Sequence, residues 1–75
     1  MATTAVGSKR VNVTYDPHTD TLSIELAVRE VAESDEDKPG VILDYDAEGR
    51  LVGIEILDAS KTVPDPASVN LKVAV

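Results

Sequence analysis

No cysteine, no phenylalanine and no tryptophan occur among these 75 residues, and there is a single histidine. Without cysteine there is neither a disulfide framework nor a thiolate zinc site to hold a short chain together. Without the large aromatics a core has to be assembled from Val, Ile, Leu and Ala, with Tyr15 and Tyr45 the two residues of the Phe, Trp and Tyr class. A chain this short buries only about 60% of its unfolded surface, which bounds one domain with a marginal core; oligomerisation is a common remedy. Basic residues are scarce as well, 7 against 14 acidic ones, for a net charge of −7. That balance argues against a nucleic-acid surface, which needs clustered Lys and Arg, and equally against an anionic membrane. Long apolar runs are missing too. No stretch approaches the length of a transmembrane helix, and the opening MATTAVGSKR lacks the apolar segment of a secretory signal. The expected location, by elimination, is the cytoplasm.

What the chain does contain is period-2 alternation, written twice. VNVTYDPHTDTLSIELA (Val11 to Ala27) lies over VILDYDAEGRLVGIEIL (Val41 to Leu57) at an offset of 30 residues without gaps. Val11 meets Val41, Tyr15 meets Tyr45, Asp16 meets Asp46, Ile24 meets Ile54 and Glu25 meets Glu55. Val13/Leu43, Leu22/Val52 and Leu26/Ile56 are apolar in both copies. Alternation of apolar and polar side chains around a turn is the signature of a half-buried β-hairpin. In the first copy it predicts pairs 15–22, 13–24 and 11–26; in the second, 45–52, 43–54 and 41–56. Gly49 suits the positive φ of a tight hairpin turn and Thr19 does not, so the first turn is expected to be the longer form, begun by Pro17.

Between the copies, Val28 to Ser34 reads as a short third strand, Ser34 to Lys38 as an acidic loop and Pro39-Gly40 as a turn. Two prolines, Pro64 and Pro66, rule out a long helix after Leu57. The tail VNLKVAV alternates again. The expected fold is therefore mainly β: an antiparallel sheet of two successive, repeat-related hairpins plus a C-terminal strand, with little or no helix. As one small domain it divides into a flexible 1–9, a two-hairpin core 10–57, a connector 58–68 and a strand 69–75. One face of such a sheet is apolar and needs a covering layer. A homodimer, with or without exchanged strands, is the expected assembly.

The stretches YDPHTDTLSIEL and KPGVILDYDAEGRLVGIEILDASK closely resemble the small bacterial "domain of unknown function 2283" family. The likeness runs from about Val11 to Lys61, and its second segment is the specific one. The resemblance implies a compact β-rich module with no assigned activity and no agreed catalytic residues. It also implies an antitoxin-like role, beside small toxin-like neighbours. Many members close with a short helix, which prolines and a β-patterned tail replace here.

Residues 44–55, DYDAEGRLVGIE, match a calcium loop at Asp44, Asp46, Glu48, Gly49, Leu51 and Glu55. The flanks have strand periodicity, whereas an EF-hand loop lies between helices. On a hairpin the carboxylates of Asp44, Asp46, Glu48 and Glu55 spread along the strands, so these are weak metal candidates and no cofactor is expected. Catalysis has less support. His18 is a lone turn residue, Ser23 and Ser60 have no nucleophile-elbow context, and nothing selects a working pair of acids. Tyr15 and Tyr45 read as core packing and not as a stacking platform, given the missing basic residues. The remaining features are negative charge and sheet edges. They point to a non-enzymatic acidic interaction module with Asp35, Glu36 and Asp37 as protein-binding candidates and a basic protein as partner. The alternatives are a weak divalent-cation module and a homo-oligomeric structural protein.

Overall fold

The computed structural model describes residues 11–74. They form one antiparallel sheet of five strands and a single short helix. The strands are β1 (Asn12–Asp16), β2 (Thr21–Glu25), β3 (Glu33–Lys38), β4 (Val41–Tyr45) and β5 (Leu51–Ile56); the helix, α1, is Ala59–Thr62. The order across the sheet is β1-β2-β5-β4-β3. β3, β4 and β5 make a meander, and β2 lies beside β5, so β2 to β5 have Greek-key order with the long connection 26–32 coming first. Among the described residues no helix is long and apolar enough to cross a membrane.

The alternation dictates the faces. Residues directly opposite in a ladder share a face, so Val13, Ile24, Ile54 and Leu43 form one apolar row across four strands. Tyr15, Leu22, Ile56 and Val41 form the next. The pairing of Ile24 with Ile54 is informative, because these two residues are equivalent under the offset of 30. The two hairpins are thus joined back to back through β2 and β5, around a local two-fold axis normal to the sheet. β3 on the outside of β4 is what breaks that symmetry.

The turns differ as their residues require. In the first, Asp16 faces Thr21 and four residues lie between them. The Asp16 carboxylate accepts the His18 N–H at 2.9 Å, and the positive φ of 55° falls on Asp20, sparing Thr19. In the second, the Gly49 N–H donates to the Asp46 carbonyl at 3.0 Å and the Asp46 N–H to that of Arg50 at 2.9 Å. Gly49 has φ 79°, open to glycine at no steric cost. This turn adds one residue to β5, so Tyr45 faces Leu51 and not Val52. The expected pair 45–52 is corrected accordingly, while 43–54, 41–56, 13–24 and 15–22 are all present. Val11 and Leu26 fall outside the ladder; the Leu26 N–H turns to the Val52 carbonyl at 2.7 Å.

Three further expectations need correction. The third strand is Glu33–Lys38 and not Val28 to Ser34, so the acidic stretch is itself a strand. Its backbone pairs with β4 while all six side chains stay exposed, which suits charged residues to a sheet edge. The connector 58–68 contains α1, a single helical turn completed before Pro64. It is pinned by Asp20, whose carbonyl accepts the Ala59 N–H at 2.9 Å and whose carboxylate accepts the Ser60 N–H at 3.1 Å and the Ser60 hydroxyl at 2.7 Å. The Tyr15 hydroxyl donates to the same carboxylate at 2.7 Å. Bonds from Ser60 and Tyr15 hold Asp20 below its usual pKa, and the Asp20 carboxylate in turn raises that of Tyr15. Finally, residues 69–74 join no strand, so the expected C-terminal strand is absent from them; its last residue, Val75, and the segment 1–9 lie outside the described residues.

The core is thin. Leu22, Val52 and Ala59 are the buried apolar residues, and among the described residues no large side chain is fully buried. A single sheet with a one-turn helix at one corner leaves most of its apolar face half-buried. Val13 on that face is 39% exposed.

Candidate functional site

The opposite face is polar and carries the more unusual chemistry. Ser23 on β2 stands opposite Glu55 on β5, and Gly53 on β5 stands between Glu25 on β2 and Asp44 on β4. The connection 26–32 brings Arg29 and Val31 over this face. Together these residues line an open cavity of about 250 Å³. Gly53 keeps its floor uncrowded: a Cβ there would meet the Ile24 carbonyl oxygen at a tight 3.1 Å and the Asp44 carboxylate at 3.5 Å. The bare backbone at Gly53 lets the Asp44 side chain lie down over β5.

Asp44 is only 7% exposed. Its Oδ1 accepts the Ser34 hydroxyl of β3 at 2.6 Å. Glu55 lies diagonally from Asp44 across the β4–β5 ladder, so the two carboxyl groups are neighbours on this face. Neighbouring carboxyl groups do not ionise together cheaply, which favours the protonated form of Glu55. The Glu55 carboxyl is raised above its ordinary value of 4.5 by the bond to Asp44 first, then by burial, then by the Asp44 charge. A raised pKa means that the folded state favours protonated Glu55. The associated stability is full below the ordinary value and is lost as pH rises through the raised one. Glu55→Gln keeps a donor for Asp44 and removes the charge. Its melting temperature should exceed wild type at pH 8 and not at pH 4. Thermal melts giving the same increment at both pH values would contradict the raised Glu55 carboxyl.

Asp46 forms a separate knot at the β4–β5 turn. It too is 7% exposed. Its Oδ1 accepts the Glu48 and Arg50 N–H groups, each at 2.9 Å, and its Oδ2 accepts the Arg50 Nε–H at 3.2 Å. Arg29 approaches Oδ2 at 3.6 Å. The Arg50 N–H bond is the main reason that the Asp46 carboxyl sits below its ordinary pKa, with the Glu48 N–H and the Arg50 charge adding to it against burial. Arg50 also pairs with Glu48.

The four weak metal candidates are therefore divided. Asp44 and Glu55 meet on the polar face, Asp46 is taken up by its own turn and two arginines, and Glu48 pairs in the loop. Among the described residues no group of three or more metal-ligating side chains converges. Asp35, Glu36 and Asp37 all lie on the edge strand β3. Asp35 is opposite Leu43, Glu36 is opposite Ile42 and accepts the Gly40 N–H at 3.0 Å, and Asp37 is the extra residue where the register shifts. His18 is exposed in the first turn and does not line the cavity. The Asp44–Glu55 contact was not foreseen from the sequence, although the predicted register put both acids on the polar face. Its legible signal was Gly53, a glycine inside a strand pattern, which marks a close approach.

The fold and this face define a small single-sheet β protein with an acidic edge. The chain belongs to the family described as "Protein of unknown function (DUF2283)", whose model matches residues 12–60, from β1 into α1. Neither the curated proteins nor the solved structures give a match.

Proposed function

We propose that this protein is a small non-enzymatic interaction module whose acidic edge receives an extended basic segment of another protein, in an antitoxin-like or regulatory role. The observation that carries this reading is β3. It is an edge strand of the sheet, and among the described residues no strand pairs with its outer side. It presents Glu33, Asp35, Glu36 and Asp37 with every side chain exposed. An added strand gains main-chain hydrogen bonds from such an edge, and alternate side chains set its specificity. Here the acids repel another acidic edge and attract lysine and arginine. The net charge of −7 adds long-range steering.

The test uses a synthetic peptide of alternating Lys and Val, followed by fluorescence anisotropy. Affinity should fall about tenfold or more as salt rises from 50 to 500 mM, where the Debye length drops from about 14 to about 4 Å. Neutralising Asp35, Glu36 and Asp37 together, as Asn, Gln and Asn, should slow association more than it speeds dissociation, because exposed charges act mainly on encounter. Binding that ignores both salt and the triple variant would remove the case for a basic partner.

A further inference from the structure

The apolar face is the largest feature the acidic edge does not use. Its central row is Val13, Ile24, Ile54 and Leu43. Among the described strands, charged residues join this face from β3, where Glu33, Asp35 and Lys38 face Tyr45, Leu43 and Val41. The chain's own described segments cover it only in part: Leu22 and Val52 are buried, but Val13 is 39% exposed, α1 is held at the β1–β2 turn by Asp20, and Val69, Leu71 and Val73 of the tail are 62, 86 and 80% exposed. The chain exposes 5729 Å². A compact monomer of 8.0 kDa exposes about 4,450 Å², so the excess is about 1,300 Å², of which the tail takes a share. A standard interface removes about 800 Å² from each partner.

We propose that a second copy of this chain stacks on that face, apolar row on apolar row, with its two-fold axis parallel to the strands. Two sheets packed in this way lie about 10 Å apart with strands about 30° from aligned. The charge distribution selects the axis. An axis running across the strands would lay the two β3 edges over each other, acid on acid. An axis along the strands, passing beneath the Ile24–Ile54 pair, reverses the strand order between layers. β2 then lies over the second copy's β5, and β1 over its β4. Val13 faces Leu43 of the second copy, and Ile24 faces its Ile54. Each β3 overhangs the sandwich on an opposite side and keeps its acids in water. The local two-fold normal to the sheet makes the four isoleucines near-equivalent, so each finds an apolar neighbour of the same size. This assembly does not rest on the reading of β3 as a docking edge. The two also respond oppositely to salt: two copies at −7 each repel, so screening tightens the pair while it loosens a basic partner.

The experiment is sedimentation of the full chain across 1 to 100 μM at 50 and 500 mM salt, with single variants and cross-linking. A mass near twice 8.0 kDa is expected, with a dissociation constant several-fold lower at high salt. Val13→Glu adds a charge at a site 39% exposed in the single chain, so the fold should survive by circular dichroism while dimerisation weakens tenfold or more. Leu71→Glu in the tail should leave the mass unchanged. Because the chain lacks cysteine, Val13→Cys mixed with Leu43→Cys should cross-link through a short bismaleimide, and neither should cross-link with itself. A monomer mass for wild type at 100 μM would overturn the proposal. So would a dimer lost in Leu71→Glu but kept in Val13→Glu, or self-linking of Val13→Cys alone.

Discussion

Ile54→Asp is expected to unfold the protein at room temperature. Ile54 lies in the centre of β5, with Ile24 of β2 on one side and Leu43 of β4 on the other. A domain of 75 residues has about 4–11 kcal/mol of total stability to lose. Removing a half-buried isoleucine from an apolar row forfeits about 1–2 kcal/mol of transfer free energy. The carboxylate that replaces it has apolar cross-strand neighbours. Bringing it there without a partner costs about 2 kcal/mol or more, and aspartate is a poor strand residue besides. Among the described residues the buried apolar side chains are Leu22, Val52 and Ala59, a core too thin to compensate. Far-UV circular dichroism should show loss of the sheet, and urea should produce no cooperative transition. Ile54→Val, costing about 0.5–1.5 kcal/mol, is the control that should stay folded. A cooperative melt of Ile54→Asp within a few degrees of wild type would show that this row carries little of the stability.

How far the sequence reveals the structure depends on which force writes it. Alternation of apolar side chains is a local record of burial. Val13, Tyr15, Leu22 and Ile24 therefore place the first hairpin in register, and Val41, Leu43, Ile54 and Ile56 place the second to within one turn residue. Where side chains are not buried, the record fails. Glu33–Lys38 carries no apolar side chain to mark a face, and its strand exists through backbone pairing to β4. The tail from Val69 shows the opposite error: alternation without a neighbour to pair with gives no strand among residues 69–74. α1 escaped notice because a single turn has no periodicity; it depends on Asp20, which is 40 residues away from Ser60. The grouping on the polar face was hidden for the same reason. Asp44, Glu55 and Ser34 come from three strands, and only the registers of β3 with β4 and of β4 with β5 bring them together.

Asp46→Ala is expected to have the largest effect of any polar substitution. The side chain looks like a calcium ligand in the sequence, and in the structure it does a ligand's work for the backbone. It organises the turn by accepting two N–H groups, from Glu48 and Arg50, and it draws Arg50 and Arg29 to one oxygen. Arg29 belongs to the connection 26–32, so this one carboxylate ties the β4–β5 turn to the segment that carries the chain from β2 to β3. Alanine leaves two backbone donors without their acceptor and takes an ion-pair partner from Arg29 and from Arg50, the latter keeping Glu48, and donors stripped of a buried acceptor are costly. Given the steep dependence of melting temperature on stability in small domains, a fall of roughly 10 °C or more is expected. The pH dependence supplies a second readout. The folded pKa of Asp46 is lowered from its ordinary 3.8, so its contribution is complete above that value and is lost as pH falls through the lowered one. The gap between wild type and Asp46→Ala should therefore be wide at pH 7 and should narrow toward pH 2. Asp46→Asn keeps an oxygen for the turn N–H groups but not the charge, and should melt between the two. Urea titrations at both pH values decide the matter: a gap that stays constant with pH, or an asparagine variant no better than alanine, would show that the carboxylate does not hold this turn in the way its contacts indicate.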